Sequence, residues 1–147
     1  MAAKKDHYRH LIIRRLYFSH PLSCADLSKQ IGKSLPLTTK LINELVRENI
    51  LIDTGLAPSS GGRRAATYSL RQDVYFIVSV ALDQYVARIA VMDMRNGFVT
   101  PVENFELPLQ DNPDALAVLT KHIQHVIHKS GIDKQRILGI GIGMPGF

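Results

Sequence analysis

One stretch, residues 23–51, constrains the fold of this chain more than any other. Its sequence, SCADLSKQIGKSLPLTTKLINELVRENIL, predicts two short helices joined by a tight turn and followed by a strand. Ser23 is suited to cap the first helix, because its hydroxyl can accept a hydrogen bond from a backbone N–H that has no partner within the helix. Gly32 can take the left-handed conformation that ends many helices. Ser34 and Pro36 then mark the start of the second helix.

The second helix carries an apolar stripe at helical spacing, formed by Leu37, Leu41, Ile42 and Leu45. Short hydrogen-bonding and cationic side chains occupy its other faces: Thr38, Thr39, Lys40, Asn43 and Arg47. These are the types that contact phosphates and base edges when a helix enters the major groove. The pattern is that of a helix-turn-helix, although two amphipathic helices in an ordinary small α domain would share much of it.

The features on either side favour the DNA-binding interpretation. A helix predicted over residues 5–18 precedes the motif, and two short predicted strands, 50–52 and 67–70, follow it. The segment between those strands, DTGLAPSSGGRRAA, is rich in glycine and serine and carries Arg63 and Arg64. Such a hairpin after a helix-turn-helix is typical of a wing whose arginines reach a groove or the DNA backbone. A surface hairpin with two solvated arginines remains the alternative.

The charge distribution agrees with this assignment. Residues 1–71 carry 12 Lys and Arg against 5 Asp and Glu, whereas residues 72–147 carry 6 against 8. The half with the helix-turn-helix is therefore basic, as expected where phosphate neutralisation supplies much of the affinity. The candidate DNA-binding residues from this reasoning are Ser34, Leu35, Thr38, Thr39, Lys40 and Asn43 in the helix, with Arg63 and Arg64 in the wing.

The second half of the chain changes character at Phe76. Three β-rich runs, FIVSVALD, YVARIAVMDM and GFVTPVENFEL, are separated by turn signals that include Asn96-Gly97. A helix capped by Asn112, with Pro113 in its first turn, is predicted to run to about Ser130. A buried strand then begins at Ile137 and ends in a glycine-proline turn. The predicted order is three strands, a helix and a strand.

Cysteine and histidine usage gives no metal or disulfide site. Cys24 is the single cysteine, which excludes an internal disulfide and a cysteine-rich zinc site within these residues. His122, His125 and His128 recur every three residues on the predicted helix, but nothing beside them completes a metal-ligand set. No segment reaches the ~18 uninterrupted apolar residues of a membrane helix. We therefore expect no bound metal, no membrane association and a cytoplasmic protein.

Three sequence segments resemble the N-terminal part of the ROK family, which comprises repressors, open reading frames and sugar kinases. ADLSKQIGKSLPLTTKLINELVRENIL resembles the winged helix of its regulators, SSGGRRAATYSL the wing, and ILGIGIGMPGF the strand and turn ending the first α/β segment of the ROK lobe. The resemblance implies an α+β chain. Residues 1–71 would form a winged helix-turn-helix domain, and residues 72–147 part of an actin-like, sugar-kinase-like (ribonuclease H-like) lobe in β-β-β-α-β order.

The chain also departs from the kinases of that family. Their first strand ends in an acidic, glycine-rich phosphate loop, where backbone N–H groups approach the phosphates. Here Asp83 stands at the acidic position, but no glycine lies between Phe76 and Asn96. We therefore expect a degenerate phosphate loop, no nucleotide cofactor and no enzymatic activity. The family's zinc motif and sugar-contacting residues would lie downstream, so we expect the chain to be a fragment of a longer product.

These observations predict a sequence-specific, DNA-binding transcriptional regulator. The family resemblance adds the expectation of a homo-oligomeric repressor of carbohydrate-utilisation genes, bound to a double-stranded operator and tuned by a sugar or sugar phosphate. Two alternatives stay open. One is a ROK-type sugar kinase with an accessory DNA-binding domain, and the other is a winged-helix module that binds proteins.

Overall fold

The structure is a computed structural model that describes residues 2–19, 21–56 and 64–144. It contains both helices and sheets, as the mixed α and β prediction requires. The chain divides into two compact units, with the boundary between Arg71 and Gln72.

The first unit contains three helices and a small sheet. The helices are α1 (Ala2–Phe18), α2 (Cys24–Ile31) and α3 (Leu35–Arg47), and the strands are β1 (Leu22–Ser23), β2 (Leu51–Leu56) and β3 (Ala66–Leu70). The sheet is antiparallel, with β3 between β1 and β2. The ends of β2 and β3 that face the hairpin loop are held together by Thr54, whose hydroxyl lies 2.8 Å from that of Thr67.

Helix α2 has defined signals at both of its ends. The Ser23 hydroxyl accepts a hydrogen bond from the Asp26 backbone N–H at 3.1 Å. The Asp26 carboxylate in turn accepts from the Ser23 backbone N–H at 3.3 Å, which completes a reciprocal capping box. Gly32 ends the helix with φ of 63°, in the left-handed region. Both of these roles were predicted from the sequence, and the structure confirms them.

The core of the first unit is aliphatic and draws on every helix. Apolar side chains from α1, α2, α3 and the two hairpin strands exclude solvent almost completely; they are Ile12, Leu16, Leu27, Leu41, Ile42, Leu45, Leu51 and Leu70. The predicted stripe on α3 is therefore the side that faces this core, apart from Leu37, which is only half-buried. Burial of each such side chain contributes on the order of 1.5–3 kcal/mol.

The second unit is a four-stranded sheet with one helix packed against it. Its elements are β4 (Phe76–Leu82), β5 (Val86–Asp93), β6 (Glu103–Glu106), α4 (Ala115–Ser130), a 3₁₀ turn (Lys134–Arg136) and β7 (Ile137–Gly143). The strand order across the sheet is β6-β5-β4-β7, in which β7 runs parallel to β4 and the other pairs are antiparallel. Leu119, Ile123 and Val126 of α4 join the buried sheet residues in one apolar core.

The start of α4 differs from the sequence prediction. The helix begins at Ala115 after Asp114, so Asn112 is not its N-cap and Pro113 is not its first residue. Asn112 instead stabilises the preceding loop, where its side chain accepts from the Asp114 N–H at 3.1 Å and donates to the Pro108 carbonyl at 2.8 Å. An asparagine followed by proline suits such a local turn as well as it suits a helix cap.

The third strand of this unit is shorter than its β-rich sequence predicts. Only Glu103–Glu106 pairs with β5, and Phe98 makes an isolated bridge to Met92. Between them the ladder is interrupted, because the Val91 N–H donates at 3.0 Å to the Thr100 hydroxyl rather than to a strand carbonyl. Pro101 follows, and proline has no N–H to contribute to a ladder.

Strand β7 is more exposed than the buried strand that its sequence predicts. Leu138, Ile140 and Ile142 are 58%, 50% and 51% exposed. The strand lies at the edge of the sheet, where only one neighbouring strand, β4, pairs with it. The apolar sequence indicates a preference for burial, but among the described residues nothing covers these side chains.

The two helix starts in the first unit offer a matched stability test. Ser23 caps α2 through its side chain, whereas Ser34 precedes α3 without a side-chain cap hydrogen bond. We expect Ser23→Ala to lower the free energy of unfolding by about 1 kcal/mol, the usual cost of losing such a cap. Ser34→Ala should change it far less. Urea unfolding followed by circular dichroism measures both, and equal losses would contradict the assigned difference.

Candidate nucleic-acid interface

Five of the six candidate residues on and beside α3 lie at the surface. Ser34, Leu35, Thr39, Lys40 and Asn43 are all exposed. The buried side of α3 packs on the unit core, so these residues share the side that faces away from it. This side of α3 and its N-cap thus present one apolar, one cationic and three hydrogen-bonding side chains to solvent.

Thr38 does not belong to this surface, which corrects the sequence prediction. It is fully buried, with 0% exposure, and its hydroxyl donates to the Ser34 carbonyl at 3.1 Å. Residues three and seven positions further along the helix, Leu41 and Leu45, are core residues and lie on the same side of the helix. The intrahelical hydrogen bond lets a polar threonine occupy a core position without an unsatisfied hydroxyl.

Arg47 continues the exposed side of α3 towards its C-terminus. Its side chain folds back along the helix, where Nε donates to the Asn43 carbonyl at 3.2 Å. Arg47 is exposed, and the remaining nitrogens of its guanidinium lie near the outer side of the helix.

The predicted wing is only partly described. Arg63 lies outside the described residues, together with the rest of residues 57–63. Arg64 is described; it is exposed and stands two residues before β3. Strands β2 and β3 form the antiparallel pair from which this loop extends.

An ion-pair cluster joins α1 to the C-terminal half of α3. The Arg9 guanidinium donates to both carboxylate oxygens of Glu48, one of them at 2.7 Å, and the Lys5 ammonium lies 2.9 Å from Glu44. Arg9 also lies 3.9 Å from Glu44. The carboxylates of Glu44, on α3, and of Glu48, at its C-cap, are thus neutralised by α1, which leaves the positive charge of Lys40 and Arg47 dominant on that helix.

The same cluster shifts the ionisation of its members. The hydrogen bonds from Arg9 lower the pKa of Glu48, and the hydrogen bond from Lys5 lowers the pKa of Glu44. The hydrogen bond to Glu48 raises the pKa of Arg9. Sequence reasoning missed this cluster. Its signal, a Lys5/Arg9 pair and a Glu44/Glu48 pair each spaced by four, is visible in the sequence but does not say which helices meet.

The turn between β4 and β5 contains Asp83, for which the sequence resemblance predicts the acidic position of a phosphate loop. The Asp83 carboxylate accepts from the N–H groups of Tyr85 and Val86 at 2.9 and 2.8 Å, and lies 3.1 Å from Arg88. The hydrogen bonds from Tyr85 and Val86 lower the pKa of Asp83. These two backbone N–H groups are therefore already paired within the turn.

A cleft of about 750 Å³ adjoins this turn in the second unit. Tyr85, Leu109 and Met144 supply much of its apolar lining, and Gln110 and Asp111 contribute polar groups. Its volume lies in the range of clefts that bind small molecules.

The histidines of α4 do not form a metal-binding group in the described structure. The His122 ring stacks on Phe105, with their centroids 3.7 Å apart and the ring planes 9° from parallel. Across the described ranges, no three His, Cys, Asp or Glu side chains converge as metal ligands. In the same residues, no helix combines the length and apolarity needed to cross a membrane.

Comparison with known proteins shows which sequences this chain resembles. No family model matches the chain. It is 26% identical over 137 residues to the xylose repressor of Caldicellulosiruptor bescii, covering 92% of this chain and 34% of that protein. It is 27% identical over 143 residues to the xylose repressor of Bacillus subtilis, covering 92% of this chain and 35% of that protein. The chain thus spans about a third of the length of these curated relatives.

A solved structure agrees with the sequence relatives. A ROK family transcriptional regulator, described as a homolog of the E. coli MLC protein, superposes with a TM-score of 0.65 over 98% of this chain and 36% of its own, at 20% identity. The fold of this chain is therefore similar to that of about a third of the regulator's structure. The resemblance of this chain to ROK-family transcriptional regulators is confirmed.

Arg9 provides a test of the cluster. We expect Arg9→Gln to lower the midpoint of thermal unfolding by a few degrees at pH 7, because it removes the bidentate contact to Glu48. Since the Glu48 pKa is lower in the folded state, the stabilisation is present above the ordinary glutamate pKa of about 4.3 and is lost as the pH falls below it.

Arg14→Gln on the same helix is the control, because Arg14 is exposed. Differential scanning calorimetry at pH 7 and at pH 3 should show a deficit for Arg9→Gln that shrinks in acid. A deficit of the same size at both pH values would contradict an ion-pair origin.

Proposed function

We propose that this protein is a sequence-specific DNA-binding regulator of the ROK type, acting as a repressor of carbohydrate-utilisation genes. Residues 1–71 form its winged helix-turn-helix domain, and residues 72–147 form the first part of an actin-like ROK lobe. The observation that carries this proposal is the outer side of α3, where Leu35, Thr39, Lys40 and Asn43 are exposed together in the basic half of the chain.

The local geometry supports a recognition role for α3. In a helix-turn-helix the N-terminal residues of the second helix contact base edges. Here the turn at Gly32 ends α2 and α3 begins at Leu35, so Leu35 and Thr39 occupy that part of the helix, and Asn43 continues the same row towards the C-terminus. On this proposal the hairpin of β2 and β3 is the wing, with Arg64 beside it and Arg63 next to Arg64 in the sequence.

The partners follow from the same proposal. Double-stranded operator DNA is the ligand of the first unit. A sugar or sugar phosphate is the effector of the full-length protein, as the names of the xylose repressors suggest. The cleft beside Tyr85 gives the second unit a concave surface of suitable size. A homo-oligomer acting in the cytoplasm would pair two such helices on a symmetric site.

Phosphoryl transfer is the less favoured alternative. A phosphate loop requires free backbone N–H groups and close approach of the backbone, which glycine permits. The turn at Asp83 has no glycine, and its carboxylate accepts from two of its N–H groups. This arrangement supports a regulator that retains the fold without the kinase chemistry.

The proposal is tested by DNA selection followed by fluorescence anisotropy. The purified chain is used to enrich duplexes from a random library, and the enriched duplex is compared with its scrambled counterpart over a range of salt concentrations. We expect tighter binding to the enriched duplex and a steep salt dependence, because phosphate contacts release counterions. Equal binding to both duplexes, or none at low salt, would favour a protein-binding module instead.

Lys40 supplies the specific mutational prediction. We expect Lys40→Ala to weaken binding to both duplexes and to reduce the slope of log K against log salt by about 0.9, the loss of one phosphate contact. Lys121→Ala on α4 is the matched control, because Lys121 is an equally exposed helical lysine in the other unit. An unchanged slope for Lys40→Ala would remove Lys40 from the interface.

A further inference from the structure

The Thr39 side chain is held in one orientation at the outer side of α3. Its hydroxyl donates to the Leu35 carbonyl one turn earlier at 2.9 Å. The same oxygen lies 3.1 Å from the Cys24 sulfur at the start of α2. The proton of the hydroxyl is therefore used within the helix, and the oxygen is in contact with the neighbouring helix. The methyl group is the part of this exposed residue that no hydrogen bond occupies.

Leu35 adds an apolar group on the same side of the helix. It precedes Thr39 by four residues, a spacing that places two side chains next to each other on a helix surface. Leu35 is 51% exposed, whereas Leu41 and Leu45, on the core-facing side of α3, are almost completely buried. Its side chain contributes little to the core of the unit, so another role accounts better for a large apolar residue here.

Asn43 extends the same row by four more residues. Its side-chain amide makes no hydrogen bond to the part of the chain that the structure describes, and it is exposed. In the major groove, apolar side chains and threonine methyl groups contact the methyl group of thymine, and asparagine forms a bidentate pair with adenine. The row Leu35, Thr39, Asn43 combines these two chemistries.

We propose that α3 reads thymine methyl groups through Leu35 and the methyl group of Thr39, within a recognition sequence containing adjacent A·T base pairs. This inference rests on the proposed function and specifies its ligand. It differs from what the residue types alone suggest, because a threonine in a recognition helix is ordinarily taken as a hydrogen-bond donor or acceptor. Here the methyl group is the reading group and the hydroxyl orients it.

The chain contains a matched pair that serves as a control. On α4, Leu116 and Thr120 have the same four-residue spacing, both are exposed, and the Thr120 hydroxyl donates to the Leu116 carbonyl at 2.7 Å. The pair lies in the second unit, outside the proposed recognition helix. The same substitutions there change side-chain chemistry without touching the proposed DNA surface.

The test removes the methyl group from each partner in turn. The probe is the duplex enriched from the random library, together with versions in which each thymine is replaced singly by deoxyuridine. Thr39→Ser deletes the protein methyl, and Thr39→Val keeps a methyl while deleting the hydroxyl. Thr120→Ser and Thr120→Val are the controls, and circular dichroism confirms that each variant is folded. Anisotropy gives the affinity of every combination.

The expected results are specific to one thymine. Wild type and Thr39→Val should lose about fourfold in affinity when that thymine becomes deoxyuridine, which corresponds to ~0.8 kcal/mol for one buried carbon. Thr39→Ser should bind the unmodified duplex about fourfold more weakly and should be insensitive to the same replacement. Leu35→Ala should lose sensitivity at a neighbouring thymine. The Thr120 variants should behave as wild type.

The outcomes separate this inference from the function on which it rests. If the wild-type chain does not prefer the enriched duplex to the scrambled one, the regulator proposal fails. If it does prefer it, but no deoxyuridine replacement changes affinity, or Thr39→Ser responds to every replacement as wild type does, the methyl-reading inference is overturned. A loss of affinity in Thr39→Val, with none in Thr39→Ser, would show that the hydroxyl and not the methyl group contacts the base, which also overturns it.

Discussion

The burial of one side of α3 is the constraint on which the functional surface depends. Leu41, Ile42 and Leu45 are almost fully excluded from solvent, and their burial fixes the rotation of the helix about its axis. Once that rotation is fixed, Thr38 must point into the core and Thr39 must lie outside it. Adjacent threonines with the same intrinsic chemistry therefore have different roles, one structural and one available to a ligand. The core thus determines which side chains the helix exposes, and so which of them the proposed DNA recognition can use.

Ion pairs with α1 change the charge at the C-terminal end of the same helix. Glu44 and Glu48 would repel a phosphate backbone if they stood alone on α3. Arg9 and Lys5 of α1 instead hold both carboxylates in ion pairs, on the side where α1 packs. Ion pairs of partly exposed groups contribute little to stability, so their larger effect is on the field around the helix. Lys40 and Arg47 are thus exposed on a helix whose carboxylates are already paired with α1.

Local signals in the sequence predicted much of this architecture. The features that they did not predict depend on contacts between residues far apart in the chain. The cap at Ser23, the turn at Gly32 and the apolar period of α3 depend on neighbouring residues, so a sequence pattern is sufficient to find them. The rotation that buries Thr38 depends on three packed helices, and the Arg9–Glu48 contact joins residues 39 positions apart. The interruption of the third strand at Thr100 and Pro101 likewise depends on how a side chain meets the neighbouring strand. Such pairings are decided by tertiary packing.

The turn at Asp83 shows how an acidic residue can be committed to its own turn. An acidic residue at the end of a strand has two possible uses: it can act on a ligand, or it can accept hydrogen bonds from its own turn. Here its carboxylate is paired with the Tyr85 and Val86 N–H groups and with Arg88. An added glycine would not be enough for this turn to bind a phosphate, because the carboxylate would also have to release the N–H groups that a phosphate needs. The turn is stabilised because its own carboxylate accepts hydrogen bonds from its N–H groups. For the same reason it offers few free donors to an anion.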